Sequence, residues 1–190
     1  MHLVIRDTAG AQRSRHDDPA DIAVHLAPLV VQAGQLAISQ RPRNGQATVV
    51  DAQALAALHR RFGIRSADRV SLTPGDSRWT LLRSKFRQRH SHSDHEVRVF
   101  VRGQGVFDLP LADGGLAQLL CEAGDWVAVP PALPHAFDAG QAPDFDALRL
   151  FASHDGWVST PAPDAASAPL PDLDRLLAER RQAQESVPSL

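Results

Sequence analysis

The stretch HSHSDHEVR, residues 90–98, decides how this sequence is interpreted, because it holds three of the nine histidines of the chain. In an extended strand, side chains two residues apart lie on the same face. His90 and His92 therefore share a face, and Glu96 and Arg98 have the same parity if the strand continues without a bulge. His95 has the opposite parity and is predicted to point away from that face.

Two imidazoles and a carboxylate on one face predict a metal site that needs a fourth ligand. Imidazole suits Fe, Ni, Cu and Zn, and a carboxylate adds a hard oxygen. The best fourth candidate is His135, which follows the proline-rich turn PPALP at 130–134. A strand, a stiff turn and a returning strand would bring His135 beside the first pair. An HxH pair alone is a weak signal, and a surface or core histidine is the ordinary alternative.

The chain around this segment predicts a mainly β domain. From residue 72 onward, short runs of β-branched and apolar residues alternate with Gly, Pro and Asp. The predicted strands are 79–86, 97–101, 105–109, 116–121, 126–129, 135–138 and 145–151. Glycine pairs at Gly103-Gln104-Gly105 and Asp113-Gly114-Gly115 are typical of hairpin turns. Several short strands at this spacing favour a sandwich or a barrel.

Helices are predicted on both sides of the strands. One begins at Asp18 or Asp21 and runs through Val31, and a second spans 51–62 with Asp51 as its N-cap and Gly63 as its stop signal. A loop is predicted at 40–46. After a Pro/Ala-rich segment at 161–171, a short charged helix is predicted from 172 to about 185, where we expect no chemistry.

These patterns divide the chain into three segments. Residues 1–71 are predicted to form a helical and strand decoration of the barrel, and residues 72–158 the barrel with its metal site. Residues 159–190 are predicted to form a linker and a helical tail.

Composition excludes several classes of protein. A length of 190 residues suits one domain, and a net charge of −2 disfavours a nucleic-acid binder or a polybasic membrane binder. No apolar run approaches the roughly 18 residues that span a bilayer, and the first twenty residues lack the apolar core of a signal peptide. Cys121 is the single cysteine, which excludes an intrachain disulfide and a cysteine zinc cluster. We therefore expect a cytoplasmic protein that binds neither nucleic acid nor membrane, and a monomer by default.

The spacing on both sides of the metal candidates resembles the two-part motif of the cupin superfamily. The first part is His90-x-His92, three residues, Glu96, six residues and Gly103. The second is Gly124, five residues, Pro130, one residue, Ala132 where glycine is usual, two residues and His135. The resemblance implies a cupin double-stranded β-helix, a jelly-roll barrel, with flanking N-terminal helices and a short C-terminal helix.

A narrower resemblance is to bacterial acireductone dioxygenase. It rests on five runs: SLTP at 71–74, SKF at 84–86, HSHSDHEVRVFVRGQGVFDL at 90–109, CEAGDWVAVPPALPHAFDAG at 121–140 and LRLFASHDGWV at 148–158. It covers the chain from about 20 to 158. Cupins as a superfamily host many reactions, so the superfamily motif speaks for fold and metal site, and only the narrower match speaks for a reaction.

The narrower resemblance implies a metal-dependent dioxygenase of methionine salvage. One Fe²⁺ or Ni²⁺ per chain would be held by His90, His92, Glu96 and His135, with two positions open for the acireductone 1,2-dihydroxy-3-oxo-5-(methylthio)pentene, which is cleaved with O₂. Iron would give formate and 4-methylthio-2-oxobutanoate. Nickel would give formate, carbon monoxide and 3-(methylthio)propanoate. Arg98 matches the arginine associated with generating or holding the substrate dianion, which makes it the predicted catalytic residue.

The resemblance also implies further positions around the metal. Three aromatic residues match a substrate pocket, with plain core packing as the alternative: Phe86, Phe137 and Trp157. Lys85, the single lysine of the chain, also matches the family. Two positions depart from the family, since Arg89 and His95 stand where acidic residues are usual. Both changes make the surroundings more positive, and we interpret them as modulators of metal loading or metal preference.

Two other functions stay open from the sequence. One is a different metal-dependent cupin dioxygenase or isomerase with the same ligands. The other is a non-catalytic cupin that binds a small molecule. The complete set of four ligands argues against the second, because a binding module does not need four inward polar ligands.

Overall fold

The computed structural model describes residues 1–39, 49–162 and 171–185. The helices in these ranges are α1 Pro19–Leu26, α2 Ala52–Phe62, α3 Trp79–Arg87 and α4 Leu173–Glu185. The strands are β1 His2–Arg6, β2 Gln12–His16, β3 Gln32–Gln35, β4 Ile38–Ser39, β5 Val49–Val50, β6 Ser66–Leu72, β7 His90–His92, β8 Glu96–Pro110, β9 Leu116–Glu122, β10 Asp125–Val129, β11 Ala136–Asp138, β12 Phe145–Phe151 and β13 Ser159–Pro161. The predicted loop at 40–46 lies outside the described residues, as does most of the segment 161–171.

One curled antiparallel sheet dominates the described part of the chain and confirms the mainly β prediction. Nine strands belong to it, with the central order β2-β1-β9-β8-β10-β3, while β11 and β12 also pair with β8 and β6 pairs with β12. The first half of β8 pairs with β10 and β12, and its second half pairs with β9 and β11. A single strand of 15 residues therefore belongs to both halves of the sheet.

The predicted hairpin at residues 103–105 is wrong, because β8 bends there instead of turning back. Gly103 has a φ of +70°, and a Cβ at this position would overlap the carbonyl oxygen of Asp144. The register between β12 and β8 shifts by one residue next to this bend. Because such a bulge reverses the alternation of side chains, Phe100 and Phe107 both face the interior, with ring centroids 6.5 Å apart.

The predicted strand at 79–86 is also wrong, since these residues form helix α3. Trp79, Leu82 and Phe86 recur at helical spacing, and all three pack against the main core. The same residues do not alternate as a strand requires. The remaining predicted strands at 116–121, 126–129, 135–138 and 145–151 agree with β9 to β12 within one residue at each end.

The two predicted N-terminal helices are confirmed, although the first ends early. The side chain of Asp18 accepts hydrogen bonds from the backbone of Ala20 and Asp21, so Asp18 is the N-cap. The helix stops at Leu26 and not at Val31, because a 3₁₀ turn follows and ends in a left-handed residue, Val30. Helix α2 begins after Asp51 and ends at Gly63, which has a φ of +63°.

Two helices cover the outside of the sheet. Leu58 and Phe62 of α2 pack on Val97 and Val99 of β8. Leu173 and Leu176 of α4 pack, on the other half of the sheet, in a cluster with Val106. The predicted C-terminal helix is therefore confirmed, and it is docked on the sheet. No helix within the described ranges combines the length and the apolar character needed to cross a bilayer.

The segment boundaries at residues 72 and 158 remain a proposal. Strands from both sides of residue 72 share the same sheet, since β1 pairs with β9 and β3 pairs with β10. The segment 1–71 thus supplies strands as well as helices to the fold.

A buried polar layer lies between α4 and the sheet. The guanidinium of Arg6 donates to Gln118 at 2.5 Å and to Glu179 of α4 at 2.5 Å. Gln118 in turn donates to Asp108 at 2.7 Å. Burial raises the pKa of Asp108 to about 7, although the hydrogen bond from Gln118 and the charge of Arg87 oppose the rise. This carboxyl group therefore gains a proton near neutral pH.

Asp108→Asn is expected to flatten the pH dependence of the unfolding free energy. The folded pKa of about 7 lies above the ordinary value of 3.8, so the folded state holds a proton that the unfolded state has released. The contribution of Asp108 to stability is therefore complete at acidic pH and is lost as the pH rises towards 7. Asparagine accepts the same hydrogen bond and does not ionise. Urea unfolding at pH 5 and at pH 8 measures the difference for both proteins.

The control for this prediction is Asp113→Asn. The hydrogen bond from Arg13 holds the pKa of exposed Asp113 below its ordinary value, so this group is ionised in both states throughout the interval. Its variant should keep the wild-type difference between the two pH values. If the Asp108→Asn protein shows the full wild-type difference in unfolding free energy between pH 5 and pH 8, Asp108 is not the group that causes this difference.

Candidate metal centre

The fold brings together all four residues that the sequence predicts as metal ligands. His90 and His92 lie on β7, Glu96 begins β8, and His135 immediately precedes β11. One ligand atom from each of the four lies within 4.8 Å of the others. His92, Glu96 and His135 are buried, and His90 is half-buried. Among the described residues, this is the one group of histidine, cysteine and acidic side chains that could hold a metal ion.

Backbone hydrogen bonds explain why two segments so distant in sequence meet here. The amide of His90 donates to the carbonyl of His135 at 2.9 Å, and the amide of His135 donates back at 2.8 Å. The amide of Ala132 donates to the carbonyl of His92 at 2.9 Å. Ala132 adopts a φ of +61°, a region that glycine occupies more easily. The turn before His135 is thus anchored to β7 by its main chain.

Each histidine is held in the tautomer that a metal site requires. Nδ1 of His90 lies 2.8 Å from the carbonyl of Gln88, Nδ1 of His92 3.2 Å from that of Val158, and Nδ1 of His135 2.9 Å from that of Leu133. Because a carbonyl only accepts, the proton lies on Nδ1 in each ring. The lone pair of each Nε2 is then free to bind an ion, with its orientation set by the other nitrogen.

The contacts inside the cluster also fit a bound cation. Oε2 of Glu96 lies 3.1 Å from Nε2 of His135 and 3.2 Å from Nε2 of His92. With the protons on Nδ1, these contacts set lone pairs of nitrogen against a carboxylate. A positive ion shared between the atoms removes this repulsion, so the chemistry of the donors fits a divalent metal.

The charge of the site is set by burial and by Arg98. Burial alone would raise the pKa of Glu96, but the charge of Arg98 outweighs it and holds that pKa well below its ordinary range. Burial lowers the pKa of His90. The carboxylate is therefore charged, and His90 is neutral, at physiological pH. Both are the protonation states that bind a metal.

Arg98 lies against the ligand carboxylate and inside an aromatic wall. Its guanidinium pairs with Oε1 of Glu96, and only 4% of the residue is exposed. The guanidinium carbon lies 4.4 Å from the ring centroid of Phe137 and 5.2 Å from that of Phe107. Its buried Nε has no hydrogen-bond partner among the described groups. One donor of this cation is thus unused.

A cavity of about 120 Å³ lies beside these groups. The three aromatic residues that the sequence predicts for the substrate pocket all line it. The ring centroids of Phe86 and Phe137 are 5.9 Å apart, and both residues also pack in the main core, so their role in a substrate pocket stays a prediction. Trp157 is 56% exposed and lies at the surface of the cavity.

Two further lining residues, Arg149 and Ser159, were not predicted from the sequence. Arg149 lies directly opposite Arg98 in the register of β12 and β8. Ser159 lies opposite His92 in the pairing of β13 with β7. A strand pairing is needed to find either residue, and no motif in the sequence indicates them.

The two residues that depart from the family pattern lie outside the cluster of four. Arg89 is buried, and its carbonyl accepts a hydrogen bond from the amide of Ala162 at 3.0 Å. The ring of His95 packs 5.5 Å from that of Phe62, away from the ligands, as its parity predicts. Their effect on metal loading stays a prediction.

Comparison with known proteins gives consistent results. The sequence model of the ARD/ARD′ family matches residues 15–159. Acireductone dioxygenase 1 of Pectobacterium atrosepticum is 43% identical over 141 residues, which cover 73% of this chain and 81% of that protein. Acireductone dioxygenase 1 of Nocardia farcinica is 37% identical over 172 residues, which cover 86% and 90%.

A solved structure supports the fold. Acireductone dioxygenase from Bacillus anthracis, with a cadmium ion in its active centre, superposes with a TM-score of 0.71 at 24% identity, covering 84% of this chain and 96% of that one. The curled sheet is thus of the cupin type.

Glu96→Gln is expected to destabilise the metal-free protein by about 3–5 kcal/mol, because it leaves the buried charge of Arg98 without its counter-ion. Urea unfolding in the presence of a chelator at pH 7 measures the change. The matched control is Glu122→Gln, since Glu122 is 39% exposed and pairs with Arg180 at 3.0 Å. We expect the control to cost about 1 kcal/mol or less. Equal effects of the two substitutions would show that burial does not increase the contribution of the pair between Glu96 and Arg98 to stability.

Proposed function

The chain belongs to the ARD/ARD′ family, and from this premise we propose that it is an acireductone dioxygenase of methionine salvage. The observation that carries the proposal is the buried group of three histidines and one glutamate beside Arg98 and a small cavity. Family membership also favours this activity over the two alternatives, a different cupin enzyme and a non-catalytic binding module.

We propose that His90, His92, Glu96 and His135 hold one divalent ion, Fe²⁺ or Ni²⁺. The support is the tautomer of the three rings and the short contacts of two of them with the carboxylate. Iron and nickel accept the same nitrogen and oxygen ligands. When bound, the ion supplies a positive charge for a chelating enediolate and a route for its reaction with O₂.

The charges of the chain suit an anionic substrate. Glu96 and Arg98 cancel one another, and the three imidazoles are neutral as ligands. The charge of the ion then remains to balance an enediolate dianion. In this role Arg98 stabilises the negative oxygen and lowers the pKa of the enediol, with its unused Nε as a donor.

The aromatic residues around Arg98 strengthen this interaction. Phe86, Phe107 and Phe137 surround the guanidinium and keep water from it. In such an environment a fixed cation has a larger effect on a developing charge than in water. The histidines hold their Nδ1 protons on main-chain carbonyls, so we assign them no proton transfer through Nδ1.

The substrate is cleaved with O₂ in the proposed reaction. The products are formate and 4-methylthio-2-oxobutanoate with iron, or formate, carbon monoxide and 3-(methylthio)propanoate with nickel. We further propose that the protein acts as a cytoplasmic monomer on this small molecule, without nucleic acid or membrane. Near-neutral net charge supports this part of the proposal.

The main test is reconstitution without oxygen, with Fe²⁺ and Ni²⁺ in parallel, followed by addition of acireductone and O₂. We expect one metal ion per chain, loss of the acireductone absorbance, and products that depend on the metal. His92→Ala should lower metal affinity at least tenfold, whereas His25→Ala on α1 should leave it unchanged. Loaded wild-type protein that does not consume acireductone would refute the proposal.

Arg98→Met is expected to lower kcat/KM about 10²-fold, which is the usual effect of removing one donor that stabilises developing negative charge. Methionine keeps the packing against the phenylalanine rings. Metal content at saturating metal, measured in parallel, should stay near one ion per chain, because all four ligands remain and the bound ion itself favours the carboxylate form of Glu96. A variant with normal metal content and normal kcat/KM would exclude the assigned role.

A further inference from the structure

A second, larger cavity adjoins the cavity at the metal centre. The outer one has a volume of about 520 Å³. The two cavities are neighbours, since five residues line both: Lys85, Phe86, Arg149, Trp157 and Ser159. Leu72 and Leu82 add apolar surface to the outer cavity. A ligand that reaches the ligand cluster from this side passes through the outer cavity.

Four basic residues line the outer cavity, and acids neutralise three of them. Arg69 pairs with Asp146 at 2.7 and 2.6 Å. Arg149 pairs with Asp68 at 2.9 and 2.5 Å. The third pair joins Arg78 to Asp76, with contacts of 3.0 and 2.6 Å. None of these three guanidinium groups therefore adds a full positive charge to the cavity.

Lys85 is the exception. It is exposed, and within the described ranges its ammonium has no hydrogen bond and no ion pair. Helix α3 places it next to Phe86, on the border between the buried face and solvent. It is also the single lysine among 20 basic residues. An unpaired cation thus lies at the passage between the two cavities.

We propose that Lys85 is the cation that attracts the anionic enediolate into the site and holds it at the passage. The inference rests on the proposed function, since it names a second cationic contact for the same substrate. Arg98 is already engaged with Glu96, so its charge attracts a distant anion weakly. Lys85 carries a compact charge on a flexible stem, which suits a ligand that moves from the outer to the inner cavity.

A charge at such a position acts mainly on association. Exposed charges change the rate at which a charged ligand arrives, and salt weakens the effect because it screens them. The chemical step takes place beside Arg98 and the ligand cluster. Lys85 should therefore affect kcat/KM strongly at low ionic strength and kcat little.

The first experiment compares Lys85→Met and Lys85→Arg with wild type over a range of ionic strength. We expect Lys85→Met to lower kcat/KM about five- to tenfold at low ionic strength, with the difference shrinking as salt is added and kcat within twofold. Lys85→Arg should restore most of the loss. Arg175→Met, an exposed site on α4, makes the same change in net charge and should have no effect.

The second experiment does not depend on turnover. Because the chain has one lysine, an acetylating reagent that attacks amines has only Lys85 and the Met1 amine as targets. The latter lies 2.9 Å from Asp125 and serves as an internal reference. In metal-loaded protein without oxygen, acireductone should slow acetylation of Lys85 at least fivefold and leave that of Met1 unchanged. Peptide mass spectrometry measures both rates.

The outcomes separate the two proposals. If the wild type is active, either of two results would overturn the role of Lys85 alone. One is a Lys85→Met protein whose kcat/KM equals that of wild type at every salt concentration. The other is acetylation of Lys85 that acireductone does not slow. Equal loss in Lys85→Met and Lys85→Arg would also overturn it, since the charge would not be the cause. Wild type without turnover would overturn the proposed function and this inference together.

Discussion

The reciprocal backbone hydrogen bonds between His90 and His135 are the contact on which the site depends. They join β7 to the turn before β11, although the two residues are far apart in sequence. Because both bonds are made by the main chain, they hold the backbones of the two residues side by side without any contribution from the side chains. The carbonyls that orient the three rings lie on the same or neighbouring segments, so the same backbone geometry also selects the tautomer.

The long strand β8 gives this site its surroundings. Its first residues contribute Glu96 and Arg98, and after the bend at Gly103 its second half contributes Phe107. A buried carboxylate and a buried guanidinium are costly unless they are paired. The ring of Phe107 and its aromatic neighbours surround the pair and exclude water, so one strand supplies both the charges and part of their low-dielectric environment.

Charge is distributed unevenly along the path to the site. Two cations deep in the protein are paired with acids, Arg98 with Glu96 and Arg6 with Glu179. Buried cations need such partners to offset the loss of hydration. At the passage between the two cavities, Lys85 keeps its hydration and needs no acid. This difference separates the groups that stabilise charge inside the site from one that attracts charge towards it.

The sequence by itself indicated the four residues that meet at the candidate metal centre, the face that carries Arg98, the orientation of His95 and the N-cap of α2. It left the N-cap of α1 open between Asp18 and Asp21. It misassigned residues 79–86, where short apolar runs fit a strand or a helix, and residues 103–105, where glycines permit a turn or a bend. Only the tertiary structure decided that Arg149 and Ser159 line the cavity and that α4 covers the sheet. These features depend on strand pairing and on contacts between distant segments, and no local pattern encodes them.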